Sequence, residues 1–313
     1  MSAAVGSEAL FQRLAARRQS RLAAQRRAKM YDRVATGVMI GLIGLLVVVL
    51  VAVVGLILVT GVPQLSWQFI TTASSLTQAG GGVGPQLWCT MYLMVLSLLM
   101  TVPVGVGAAV YLEEYARPSR FTAAVRLSVE SLASVPSIVF GTFGAAVFLV
   151  WMGLGYSILS GALTLALLNL PLMVRVSQEA LRSVPKEFRE ASEALAARQI
   201  ETIQKVVLPN AMPGILTGVV LTAARVIGET APLILTMGTS ISPNAQYSLN
   251  PLATGETLAV HIWVLAVVGV PGLQDAQAVA AGSAALLLII VLALSLSAAL
   301  LTRRLNMRLR GLR

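Results

Sequence analysis

The sequence predicts an all-α integral membrane protein with six transmembrane helices and both termini cytoplasmic. Three observations carry this. Hydrophobic residues make up 57% of the 313 and charged residues 12%, with a mean hydropathy of +0.82, more apolar surface than a soluble fold can hide. The apolar runs approach or exceed the roughly 20 residues of a spanning helix and are far longer than the 9 to 11 of a barrel strand. Finally, every Lys and Arg except Arg225 falls in segments that alternate between the long runs, and the positive-inside rule then places those segments in the cytoplasm. A net charge of +10 and a pI of about 10.6 would suggest nucleic acid for a soluble chain; this distribution excludes it and leaves anionic lipid as the surface partner.

Residues 1–33 form a basic arm containing Arg13, Arg17, Arg18, Arg21, Arg26, Arg27, Lys29 and Arg33. The run 34–60 is too long for a signal-peptide core and has no Ala-x-Ala pattern, so it is expected as an uncleaved first helix that keeps the arm cytoplasmic. The connection 63–85 has no charged residue and ends in Gly80-Gly81-Gly82-Val83-Gly84-Pro85. No Lys-Ser/Thr follows these glycines, so they read as a flexible external loop and not as a phosphate cradle. The second helix is expected over 86–112, kinked at Pro103, and it closes on Glu113, Glu114, Arg117 and Arg120. Cys89 is the only cysteine, forms no internal disulfide, and reads as a small core residue.

The third and fourth helices are expected over 134–152 and 157–176, joined by a tight external turn. Residues 175–209 are the long polar segment of the interior. Ser183 can cap a helix there with Pro185 in its first turn, ending before Leu208-Pro209. Such a helix is either a solvated amphipathic segment on the bilayer or a docking helix for a soluble partner, with Ala191, Ala194 and Leu195 as its small apolar patch. After the fifth helix, the weakly apolar run 258–270 is too short for a confident span. His261 lies there, in an external or interfacial segment, and one histidine makes no metal site. The sixth helix, 279–302, runs into Arg303, Arg304, Arg308, Arg310 and Arg313.

The fifth helix, 210–237, carries the chemistry. Arg225 and Glu229 lie inside an apolar run, where an ionisable residue costs roughly 2.5 to 3.5 kcal/mol on insertion scales. They are four residues apart, hence on one face, and can pair. An ion pair that only neutralises its two members within a bundle satisfies this spacing. A second reading has Arg225 offering a forked, permanently charged donor set to a tetrahedral oxyanion while Glu229 positions it. Because the pair has no net charge, a second cation from another subunit is expected to help attract the anion. Pro232 deprives the Gly228 carbonyl of its helical donor, so a kink is expected beside Glu229. Thr222 and Thr230 either add hydroxyls to a substrate path or bond their own backbone. No Walker A sequence surrounds Lys29, Lys186 or Lys205, so the chain is expected to have no ATPase of its own and energy for any transport must come from elsewhere.

Glu190-Ala191-Ser192, Ala196 and Val206-Val207-Leu208-Pro209 resemble the EAA loop of membrane subunits of binding-protein-dependent ABC importers. Further blocks resemble the phosphate-specific, PstA-type permeases: Gly81-Gly82-Val83-Gly84-Pro85, Tyr111-Leu112-Glu113-Glu114-Tyr115-Ala116, Pro136-Ser137-Ile138-Val139-Phe140-Gly141, and Ala224-Arg225-Val226-Ile227-Gly228-Glu229-Thr230-Ala231-Pro232-Leu233. The resemblance implies the type I, MetI-like importer permease fold. Its core would span 80–304, with a cytoplasmic coupling loop at 175–209 and a basic tail at 305–313.

The resemblance also implies partners. These are a PstC-type second permease subunit, two copies of a PstB-type cytoplasmic ATPase, and a PstS-type external phosphate-binding protein. The resemblance implies no cofactor on this chain, ATP and Mg being held by the ATPase. Glu190, Ala191, Leu195 and Ala196 would couple to it. Ala196 stands where the family has glycine, and the turn there is expected to be more helical than usual, since alanine resists the left-handed conformation by about 1 to 2 kcal/mol. Ser192 and Val206 are the other two departures. A sister subunit, a permease for molybdate or sulfate, and a secondary transporter with Glu229 as proton carrier are the alternatives.

Overall fold

The computed structural model describes residues 2–73, 81–242, 246–269 and 276–309, with side chains described between 29 and 303; among them every regular element is helical. The chain divides into two compact units, residues 1–58 and 59–313. The first is a single helix, α1 (Ser2–Gly61, its last residues belonging to the second unit), so the basic arm is helical as well as the apolar run. Side chains from Tyr31 to Val53 are exposed, the pattern of a helix that is apolar all round and meets lipid.

In the second unit the order is α2 (Trp67–Thr71), α3 (Gly84–Val110, extended by a π-turn Tyr111–Tyr115), α4 (Arg120–Ala133), α5 (Ser137–Gly144, carried on by a π-turn to Trp151), α6 (Ile158–Arg182), α7 (Lys186–Ala194), α8 (Gln199–Thr202), α9 (Leu208–Gly228), α10 (Ala231–Thr236), α11 (Leu258–Trp263) and α12 (Ala276–Leu309). Five helices among the described residues are long and apolar enough to cross a membrane. A sixth span is counted only if α4 and α5, bent by 101° at Ser134–Pro136, are taken together.

Several elements differ from the sequence expectation. The third span opens at Ser137, and ahead of it stands α4, which hydropathy does not reveal because Arg120, Arg126 and Glu130 interrupt it. Its start is fixed by Ser119, whose Oγ accepts from the Thr122 amide at 3.1 Å. The fourth helix does not stop at 176 but keeps its period to Arg182. Ser183 therefore closes α6, its hydroxyl donating to the Ala180 carbonyl at 2.7 Å, and Pro185 takes the N-cap position of α7 that Ser183 was expected to fill. The loop helix ends at Ala194, well before Pro209, which lies in the first turn of α9 where its missing amide hydrogen is harmless. Ala196 makes the turn in the left-handed region, at φ 59°, against the expectation of a more helical course. The run 258–270 forms the short buried helix α11, with His261 in the core and not at an interface; Val270 lies outside the described residues, as do Gly80 and 310–313.

Lipid is as apolar as leucine, so close packing and not apolar burial must bring these helices together. Gly214 and Gly218, one turn apart on α9, provide it: a Cβ on Gly214 would stand 2.6 Å from the Ala180 Cβ, and one on Gly218 3.0 Å from Val176 Cγ1. α9 thus lies directly against α6, at levels where 214 faces 180 and 218 faces 176. The core there is Met173, Leu181, Val207, Ala211 and Ile215; a second core, toward the other end, joins Leu93, Leu165, Leu168, Val226, Leu233 and Met237. Gly141 lets α5 press on α10, where an added Cβ would lie 2.7 Å from Pro232 Cα.

Candidate functional site

The fifth span is broken, which goes further than the kink expected from Pro232. α9 ends at Gly228, Glu229 is extended (φ −73°, ψ 136°), and α10 starts at Ala231. With no amide hydrogen on Pro232 the helical ladder cannot cross this point, and Thr230 restarts it by accepting at its carbonyl from Leu233 and Ile234, each at 3.1 Å. Unwound backbone at such depth is tolerated where it is enclosed by protein or meets water.

Arg225 and Glu229 meet across this break: Arg225 Nε donates to Glu229 Oε1 at 3.0 Å. The arginine side chain keeps 38% of its surface exposed and the glutamate 14%, so the guanidinium has open sides while the carboxylate is largely enclosed. Thr222 does not join them. It is fully buried, donates to its own Gly218 carbonyl at 2.9 Å and lies against Met173. Thr230 occupies the break itself, half-buried, and its side chain makes no capping bond.

The open side of Arg225 faces a cavity of about 320 Å³ between α4, α6 and α9. Arg126, Arg175 and Arg182 line the same cavity, together with Glu130 and Glu179. Positions 175, 178, 179 and 182 fall on one face of α6, a stripe that becomes visible only once the helix is carried to 182. Three further arginines thus accompany Arg225 within this chain, on a lining that also carries carboxylates. Two of them are fixed by one carboxylate, Glu113: Arg126 Nη1 donates to it at 2.9 Å, and Arg182 grips it with two bonds of 2.8 Å, with Gln178 at 2.9 Å.

The neighbouring Glu114 holds the polar loop. Arg189 of α7 donates to it at 2.7 Å and also to the carbonyls of Val184 and Leu181, while Gln199 donates to the Glu114 carbonyl at 2.6 Å. The pair Glu113-Glu114 therefore ties the end of α3 to α4, α6 and α7. Beyond this brace Glu190, Ala191, Leu195 and Ala196 all face outward, and Leu195 is 85% exposed. Phe188 of α7 and Ile200 of α8 are exposed as well, so the polar loop carries three large apolar side chains on its surface.

His261 sits in a third polar cluster, where its Nδ1 lies 3.2 Å from Glu256 Oε2 and Gln86 Nε2 donates to the same oxygen at 3.1 Å. This cluster and Thr90, whose hydroxyl accepts from the Leu258 amide, pin α11 to α3. No group of three or more His, Cys, Asp or Glu side chains with metal-binding geometry occurs among the described residues.

With this geometry in place, the chain proves to belong to the family of binding-protein-dependent transport system inner membrane components, whose model matches residues 101–311. It is 43% identical over 280 residues to the probable ABC transporter permease protein YqgI of Bacillus subtilis (strain 168), covering 86% of this chain and 94% of that one. It is 42% identical over 167 residues to the phosphate transport system permease protein PstA 1 of Mycobacterium tuberculosis (strain CDC 1551 / Oshkosh), and spans 55% of that relative's length. Among solved structures, it shares its fold with the MetNI methionine ABC transporter in an inward-facing conformation (TM-score 0.56, 19% identity, 70% of this chain and 94% of that one). A bacterial ABC transporter for the polysaccharide alginate is similar (TM-score 0.52, 16% identity, 70% and 78%). The MetI-like permease fold and the resemblance to PstA-type permeases that the motifs imply are both borne out.

Proposed function

We propose that this chain is the membrane-spanning permease subunit of an ATP-driven importer that carries inorganic phosphate into the cytoplasm through the inner membrane. The observation that supports this best is the Arg225–Glu229 pair at a helix break, opening on an arginine-lined cavity, in a chain of the importer family with PstA relatives. A guanidinium matches two oxygens of a tetrahedral anion at once, and the broken helix exposes it without requiring buried backbone to go unbonded. Glu229 limits how long the anion stays, since transport needs binding strong enough for entry and weak enough for release. Thr230 stands at the same break. Thr222 acts on packing.

Hydrolysis of ATP falls to two copies of a cytoplasmic ATPase, which dock on Glu190, Ala191, Leu195 and Ala196. A second permease subunit and an external phosphate-binding protein complete the assembly, and both termini of this chain face the cytoplasm. The test is Arg225→Ala in the assembled transporter. Phosphate uptake is expected to fall at least a hundredfold, while the complex stays intact and its ATPase activity remains within a factor of three. Normal uptake in that variant removes Arg225 from the path and the reading with it.

A further inference from the structure

Four arginines line the cavity between α4, α6 and α9, but they are not equivalent. Arg225 is engaged by Glu229, and Arg126 and Arg182 by Glu113. The Arg175 side chain is exposed in the cavity and, among the described residues, makes neither an ion pair nor a hydrogen bond. Its positive charge is the one the cavity leaves without a partner within bonding distance. The two carboxylates that share the lining, Glu130 and Glu179, are likewise without an ion pair among the described residues, although Glu179 is only one turn from Arg175 on the same helix.

Depth follows from the helix contacts. Thr222 lies against Met173 and Gly218 against Val176, so α6 and α9 run antiparallel at matched levels. Arg225 is three residues beyond Thr222 and Arg175 two beyond Met173 in the opposite direction. At 1.5 Å per residue they are separated by about 8 Å along the helix axes. Arg175 is the one nearer the basic end of α6. Arginine side chains are long enough for one oxyanion to be passed between two of them at this spacing. A cavity of about 320 Å³, where about 10 to 15 Å³ by the same measure holds one water, admits the anion with part of its hydration.

We infer that Arg175 is a second anion-contacting side chain, an inner station that takes phosphate from Arg225 and releases it toward the basic end of α6. Glu130 and Glu179 keep this station shallow by repelling a bound anion. Arg126 and Arg182, clamped by Glu113, supply field and not contact. This inference rests on the proposal that the anion passes Arg225.

The experiment uses the whole transporter with its ATPase and binding protein in proteoliposomes, with radiolabelled phosphate as the probe. Arg175→Gln is expected to lower maximal uptake tenfold or more while ATPase stimulation by the loaded binding protein stays within twofold. Arg175→Lys is expected to retain at least a third of normal uptake. In Arg175→Cys, a thiol reagent that adds an aminoethyl cation is expected to restore uptake at least fivefold, whereas one that adds a sulfonate is not; a role confined to packing would not separate the two reagents. Uptake by Arg175→Gln within twofold of normal, or equal restoration by both reagents, overturns the inner station. If Arg175→Gln does not assemble, the two reagents on Arg175→Cys decide by the same criterion. Arg225→Ala measured alongside separates the two ideas. Loss there with a normal Arg175→Gln overturns only the inner station, and normal uptake in both overturns the reading beneath it.

Discussion

Ala196 holds a left-handed backbone, φ 59°, at the outer corner of the polar loop, where its Cβ disfavours that conformation by about 1 to 2 kcal/mol. The turn persists because its neighbours are fixed: the Ala196 amide donates to Glu193, the Ala197 amide to Ser192, and the Ser192 hydroxyl meets that of Thr202 at 2.8 Å. Ala196→Gly is therefore expected to stabilise the loop by about 1 kcal/mol, the local gain being reduced by glycine's greater freedom when unfolded. Slower amide hydrogen exchange across 186–202 would be the sign of it, and faster exchange would show that alanine is not strained there. Arg225 and Glu229 could be picked out as a pair from the sequence because charges in an apolar run are conspicuous. Arg126, Arg175 and Arg182 could not. Each lies in a stretch already rich in charge, where it reads as a marker of orientation, and only the packing of α4 and α6 against α9 brings them to one cavity.

Among the elements, the long helices were readable because hydropathy over about 20 residues is a strong signal. What it hides is helix that continues in polar sequence. α6 runs on through Arg175 and Glu179 to Arg182, and α4 is interrupted in hydropathy by three charges, so hydropathy marks neither stretch as helix. The break in the fifth span was half visible: Pro232 announced a defect, but proline alone does not say whether a helix bends or stops. At that break α5 packs closely on α10, with Gly141 against Pro232. The α6–α9 contact gives a direct test at this scale. Gly214→Val would force side-chain atoms against Ala180, and is expected to destabilise the chain by about 1 to 3 kcal/mol, as overpacking does. Thermal unfolding of the purified complex in detergent measures this; an unchanged midpoint would mean that the two helices are not held at the distance described.

At the scale of the whole molecule, one charged brace connects α7 of the polar loop to the cavity. Arg189 of α7 is bound to Glu114, and the adjacent Glu113 is bound to Arg126 and Arg182, which line the cavity. On the proposed function, movement of α7 by a docked ATPase would reach the lining arginines through these two neighbouring carboxylates. Glu190→Lys, on the exposed side of α7, is expected to release the ATPase when membranes are washed while leaving this chain folded; full retention of the ATPase would place the docking elsewhere. The central claim, phosphate import driven by ATP, is tested most directly by uptake of radiolabelled phosphate in cells with and without this chain, with sulfate and molybdate as competitors and an uncoupler present. Loss on deletion of an uptake that resists both the uncoupler and the competing anions is the predicted result. Unchanged phosphate uptake in cells lacking any other importer, or uptake that collapses with the uncoupler while ATP is held constant, would contradict it.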